Sequence, residues 1–198
     1  MQQAITTPAT QERDLNSLSF LTAGLVIAAV TMTFGVMITV FISRSMAQIY
    51  WGHLAIPSVL WLTTAVLLAS SATLEKARHA LSRDDQPATF RFMKWTTGLG
   101  VAFLLGQVTA WWQVLGSGVV LAKNPHSWFI FLFTGLHGLH ILLGLLGLGY
   151  LLVRTREPVS GPKYKGMTRA VALGVSLYWH YLDFLWVVLF GLLVLWHR

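Results

Sequence analysis

The sequence predicts an all-α membrane protein, a polytopic bundle of five transmembrane helices with its N-terminus in the cytoplasm and its C-terminus outside. Three observations predict it. Of 198 residues 55% are hydrophobic and 11% charged, and the mean hydropathy is +0.63, far more apolar than a soluble domain. Asp183 apart, no Lys, Arg, Asp or Glu interrupts 15–43, 45–74, 95–122, 124–153 or 170–197. Each interval exceeds the about 20 residues that cross a hydrocarbon core. Eleven of the 14 Lys and Arg residues are Arg13 or lie in the polar stretches 76–94 and 154–169, which the positive-inside rule assigns to the cytoplasm.

Residues 1–17, MQQAITTPATQERDLNS, read as a short polar cytoplasmic tail, and 18–198 as the membrane domain. The first helix, 18–42, is too long for a signal-peptide apolar region and has neither a basic leading segment nor a small-residue cleavage site, so it reads as a mature span. The second, 51–75, begins near His53 and Pro57, an interface or kink position, and ends at EKARH, where Glu75 and His79 share a face at a solvated cytoplasmic helix end. The third is 95–120, the fourth 127–153 and the fifth 171–195. Trp51, Trp61, Trp95, Trp128 and Trp196 fall near span ends, where indoles prefer the interface. Neither cytoplasmic loop is large enough for a domain, and REPVSGPKYKG reads as an irregular turn.

Several function classes are excluded. No cysteine is present, so thiolate-ligated clusters and thiolate-bridged copper are ruled out. The net charge of +7 is a topology signal that also suits anionic lipid headgroups, and no nucleic-acid footprint is visible. An inverted-repeat transporter is only weakly disfavoured, by the lack of a convincing internal repeat, and is not among the excluded classes.

The polar residues at membrane depth carry the functional question, because lipid cannot hydrogen-bond them. The fifth helix has YWHYLDFLW, with His180 and Asp183 three positions apart on one face. The fourth has TGLHGLHILLG, with His137 and His140. The two helices run in opposite directions, so His137 should lie level with Asp183 and His140 with His180, and a single interhelical cluster of the four is expected. His126, three turns before His137, lies on the same stripe. Three readings stay open for this cluster: a structural lock between the helices, a lipid-binding or proton-leading site, and metal or haem ligation. Two histidines at i and i+3 of one helix are not the two axial ligands of one haem, and a structural zinc needs four convergent ligands. Gly135, Gly138, Gly144 and Gly147 read as close helix packing or as a groove for lipid or another subunit.

Three blocks carry a resemblance: VLLASSATLEKARHAL (66–81), FLFTGLHGLHILLG (131–144) and LYWHYLDFLWVVLF (177–190). The chain resembles subunit III of haem-copper respiratory oxidases, the family of cytochrome c oxidase subunit III and its quinol oxidase counterpart, in the short five-helix bacterial form. The matching positions are Gly135, His137, Gly138 and His140 on the fourth helix, and Trp179, His180, Tyr181 and Asp183 on the fifth. The resemblance implies an accessory subunit of a proton-pumping terminal oxidase in a bacterial inner membrane. Such a subunit is not catalytic by itself: it binds no haem or copper, which belong to partner subunit I. It stabilises that subunit, contacts subunits I and II, holds phospholipid, and can join a larger respiratory supercomplex. Relatives often place a glutamate in the first helix of this core and acids in the third, whereas here AGLVIAAVTMTFGVMITVF has no ionisable residue and QVTAWWQV has Ala110 and Gln113. No buried proton antenna is therefore expected, and His137 and His140 are expected to lock the fourth helix to the fifth without binding metal. The competing class is a stand-alone transporter or proton conductor that titrates Asp183.

Overall fold

The computed structural model describes residues 8–47, 57–116, 125–156 and 161–195. They form five helices: α1 (Pro8–Ala47), α2 (Val59–Ser82), α3 (Gln86–Gly116), α4 (Pro125–Arg154) and α5 (Pro162–Leu195). Trp51, His53, Lys123, Trp196, Arg198, the first seven residues and the side chain of His126 lie outside the described residues.

The helices are longer than their apolar stretches at the end rich in basic residues. α1 begins at Pro8, so residues 8–17 are helical where a tail was expected, and α3 and α5 begin nine residues before the predicted 95 and 171. A charge-free window finds only the part of a helix inside lipid, while the helix continues into the headgroup layer where Lys and Arg are solvated. The start residues Pro8, Pro125 and Pro162 suit a first helical position, where the missing N–H is an orphan in any residue. The polar stretch between α2 and α3 shrinks to a three-residue turn. Asp84 adopts φ 56°, the Asp85 amide returns to Ala80 O at 3.0 Å, and the Asp85 side chain caps α3 through the Ala88 amide at 3.1 Å. Asp84 then pairs with Lys165 at 3.3 Å and Arg169 at 3.2 Å, fastening this turn to the first turns of α5.

α1, α3, α4 and α5 are long and apolar enough to cross a membrane. α2, diluted by Thr63, Thr64, Ser70, Ser71 and Thr73, is less apolar. It nevertheless runs alongside both α3 and α5 through the same slab: Thr63 meets Gln107 and Thr73 meets Thr96, while Thr64 meets Trp186 and Ser70 meets Trp179. These pairings make α2 antiparallel to α3 and α5. Its hydroxyls also return to carbonyls three or four residues back, as in Thr63 to Leu60 and Ser70 to Leu67, so they are tolerable in an apolar surround.

Trp179 sits at the centre of the bundle, fully buried, in a slot formed by two glycines. A Cβ at Gly100 of α3 would lie 2.8 Å from its ring, and one at Gly144 of α4 would lie 2.9 Å away. Without hydrophobic attraction between helices in lipid, such close fit supplies much of the association energy. Gly147 likewise admits Val175, with a Cβ at 3.1 Å, and Gly106 of α3 admits the Thr63 methyl.

Candidate functional site

The polar residues at membrane depth divide between two faces of α5. On the first, Ser71 near the middle of α2 donates its hydroxyl hydrogen to Asp183 Oδ2 and lies 2.7 Å from His180 Nδ1. A hydroxyl has one hydrogen, so Nδ1 is the donor in the bond to Ser71. On the other side of the imidazole, Nε2 is 3.7 Å from Glu75 Oε2, one turn further along α2. Glu75 also pairs with Arg78 at 3.0 Å and His79 at 3.3 Å on its own helix. Asp183, Ser71 and His180 thus form a hydrogen-bonded ladder that holds α2 to α5, with the Glu75 carboxylate 3.7 Å beyond the imidazole. The helix end read from EKARH, with Glu75 42% and His79 69% exposed, borders that ladder.

His137 lies elsewhere. It is fully buried on α4 among the rings of Trp186, Phe103 and Phe34, at centroid distances of 5.0, 5.9 and 6.5 Å. Neither of its nitrogens has a hydrogen-bond partner among the described residues. His140 donates from Nδ1 to Leu136 O of its own helix at 2.7 Å and rests on Phe34 at 5.6 Å.

The expected single cluster of His137, His140, His180 and Asp183 is therefore corrected to two separate groups. The depth reading holds approximately: His137 is level with Trp186, and Gly144 with Trp179. The rotation of α5 differs, for a physical reason. Trp179, Leu182 and Trp186, all fully buried, form its largest apolar stripe and take the centre of the bundle. That turns Asp183 about 65° and His180 about 125° away from the middle of this stripe, onto α2, where a small serine supplies the hydroxyl. His137 still touches α5, through ring packing on Trp186 and not through a polar bond.

Other polar contacts tie the remaining helices pairwise. The indole N–H of Trp179 donates to Ser70 Oγ at 3.0 Å, that of Trp186 to Thr64 Oγ1 at 2.9 Å, and that of Trp111 to Thr134 Oγ1 at 2.8 Å. Thr31 of α1 bonds Tyr181 at 2.7 Å, and the Tyr178 hydroxyl donates to His140 O at 3.2 Å. The sequence reading missed Ser70, Ser71 and Thr64. Their signal is the spacing of seven between Thr63 and Ser70 and between Thr64 and Ser71, which stacks hydroxyls two turns apart along one side of α2.

The four glycines of α4 also divide. A Cβ at Gly144 would stand 2.9 Å from Trp179 and one at Gly147 3.1 Å from Val175, both tight, whereas a Cβ at Gly135 would meet Trp111 at 3.5 Å and one at Gly138 would meet Leu104 at 3.7 Å, ordinary contacts. Gly144 and Gly147 also border a cavity of about 320 Å³ between α1, α4 and α5. Among the described residues, no three of His, Cys, Asp and Glu are grouped to hold a metal ion.

Residues 52–198 match the family model described as cytochrome c oxidase subunit III. The chain belongs to that family. A protein of Nocardia farcinica named "Probable cytochrome c oxidase subunit 3" is 30% identical over 159 residues, covering 76% of this chain and 74% of its own. A Mycobacterium bovis protein of the same name is 33% identical over 127 residues, 64% of this chain and 61% of that one. "Cytochrome c oxidase subunit 3" of Thermostichus vulcanus is 30% identical over 143 residues, 71% and 66% of the two chains. As a subunit III of an oxidase, the chain is a multi-pass membrane protein that works in a complex with other subunits.

Proposed function

We propose that this chain is an accessory, non-catalytic subunit of a proton-pumping haem-copper terminal oxidase in a bacterial cytoplasmic membrane. In this reading haem and copper reside in subunit I, and the chain stabilises that subunit and holds phospholipid. The observation that carries the reading is how the intramembrane polar groups are engaged. His180, Asp183, Trp179 and Trp186 each make a hydrogen bond to a hydroxyl of α2, and His137 is walled in by three aromatic rings. Groups engaged in this way set the rotation and register of helices. The basic end of the bundle, with Arg78, Lys165 and Arg169, then faces the cytoplasm with the N-terminus. The cavity beside Gly144 and Gly147, bordered by Val26, Leu143 and Val171, suits an acyl chain.

The reading is tested by affinity purification of the chain from membranes in mild detergent, with a visible spectrum and identification of co-purifying subunits. A haem-bearing partner in stoichiometric amount is expected. A lone, colourless chain that conducts protons in liposomes would overturn the reading in favour of a transporter.

A further inference from the structure

The position of the α2–α5 ladder points to a docking surface. α1 packs on α5 and touches α4, but among the described residues it does not meet α2. On one side of α5, Tyr181 reaches Thr31 of α1, and on the other Asp183 reaches Ser71 of α2. At 100° per residue the stripe between those two directions holds Leu173, His180, Phe184, Val187 and Gly191. Three observations show that this stripe is open. Phe184 is 66% exposed, a Cβ on Gly191 would meet nothing within 4 Å, and Leu173 borders an open cavity of about 200 Å³ together with Asn16 of α1 and Arg78 of α2.

The groove is not suited to lipid alone. The His180 side chain is 39% exposed and that of Glu75 is 42% exposed, and His180 and Ser71 lie near the midpoints of α5 and α2. Acyl chains bring no donor or acceptor to that depth, whereas a protein helix does. We infer that the groove between α1 and α2, floored by the His180 to Gly191 stripe, receives a transmembrane helix of another oxidase subunit, which brings a hydrogen-bonding side chain to the His180 and Glu75 level. The inference rests on the oxidase reading and adds the face by which the chain is held. The partner helix completes the ladder, and Phe184 and Val187 provide the apolar contact around it.

The test places the photo-crosslinker p-benzoylphenylalanine at Phe184 or at Val187, both exposed, and at Leu139, which is 53% exposed at similar depth on α4. Intact membranes are irradiated and the complex is then purified. The expected result is a covalent adduct to another oxidase subunit from position 184 or 187 in at least tenfold greater yield than from 139. Adducts only to lipid or to a second copy of this chain, or a subunit adduct from 139 alone, would overturn the inference. Each of these results is scored in preparations where the haem-bearing partner co-purifies, so the oxidase reading stands while the docking face falls. Absence of that partner from all preparations would instead overturn both.

Discussion

Replacing Gly144 by Ala should cost far more than replacing Gly135 by Ala, although both changes add one methyl to the same helix. At Gly144 the new Cβ would stand 2.9 Å from Trp179 Cε3 and 3.0 Å from Cζ3, against an optimal carbon separation of about 3.5–4.0 Å. The ring must move by roughly half an ångström or more to restore that separation. It has little room to move, because Gly100 of α3 packs so close to it that a Cβ there would stand 2.8 Å from the ring, and any slide strains its 3.0 Å hydrogen bond to Ser70. Overpacking of this kind costs about 1–3 kcal/mol, and a weakened interhelical hydrogen bond in a membrane adds about 0.6 kcal/mol. The expected loss is therefore about 2–3 kcal/mol for Gly144→Ala. At Gly135 the nearest atom would be 3.5 Å away, in Trp111, so the loss should stay within about 0.5 kcal/mol. The assay is reversible unfolding of the purified full chain in mixed micelles against the mole fraction of denaturing detergent, followed by tryptophan fluorescence. Equal losses for the two variants would refute the account of the Trp179 slot.

The ladder between α2 and α5 predicts a coupling. Ser71→Ala and Asp183→Leu, each measured alone and together in the same micelle titration, should show an interaction energy of about 1 kcal/mol, within the range of interhelical bonds in membranes. Strict additivity would mean that the contact contributes nothing. For His137 the aromatic surround predicts that shape matters and polarity does not. His137→Phe should change stability by no more than about 1 kcal/mol, because no hydrogen bond is lost, while His137→Ala opens a void and costs about 2–4 kcal/mol. Thermal aggregation of the detergent-solubilised complex ranks the two, and an equal loss for both would show that a ring nitrogen matters.

The helix count, the alternation of directions and the approximate depth of each polar group were legible because lipid forces charge-free stretches onto the sequence. What a one-dimensional pattern does not carry is azimuth. His137 and Asp183 lie at nearby depth, yet the large stripe of Trp179, Leu182 and Trp186 takes the core and leaves Asp183 to α2. The partner was hard to read because serine and threonine in an apolar helix usually bond their own carbonyls, as Ser70 does with Leu67 in addition to receiving Trp179. Gly144 and Gly147 were found through their place in a glycine run, while Gly100 and Gly106, which make equally tight contacts on α3, carry no such run. Helix ends were misplaced wherever the helix continues beyond the lipid, at residues 8–17, 76–82, 86–94 and 162–170.

The claim that the intramembrane polar residues hold the subunit in place and do not carry the redox reaction is tested most directly by one preparation. The complex is purified in mild detergent with this chain bearing Ser71→Ala and His180→Leu, and two quantities are measured together. These are the amount of this chain retained per haem and the oxygen consumption per haem of the fraction that retains it. The account predicts that retention falls several-fold while turnover in the retaining fraction stays within about twofold of the unaltered complex, since a factor of two is under 0.5 kcal/mol of barrier. Full retention with turnover reduced a hundredfold would contradict it and place the ladder in the path of the reaction.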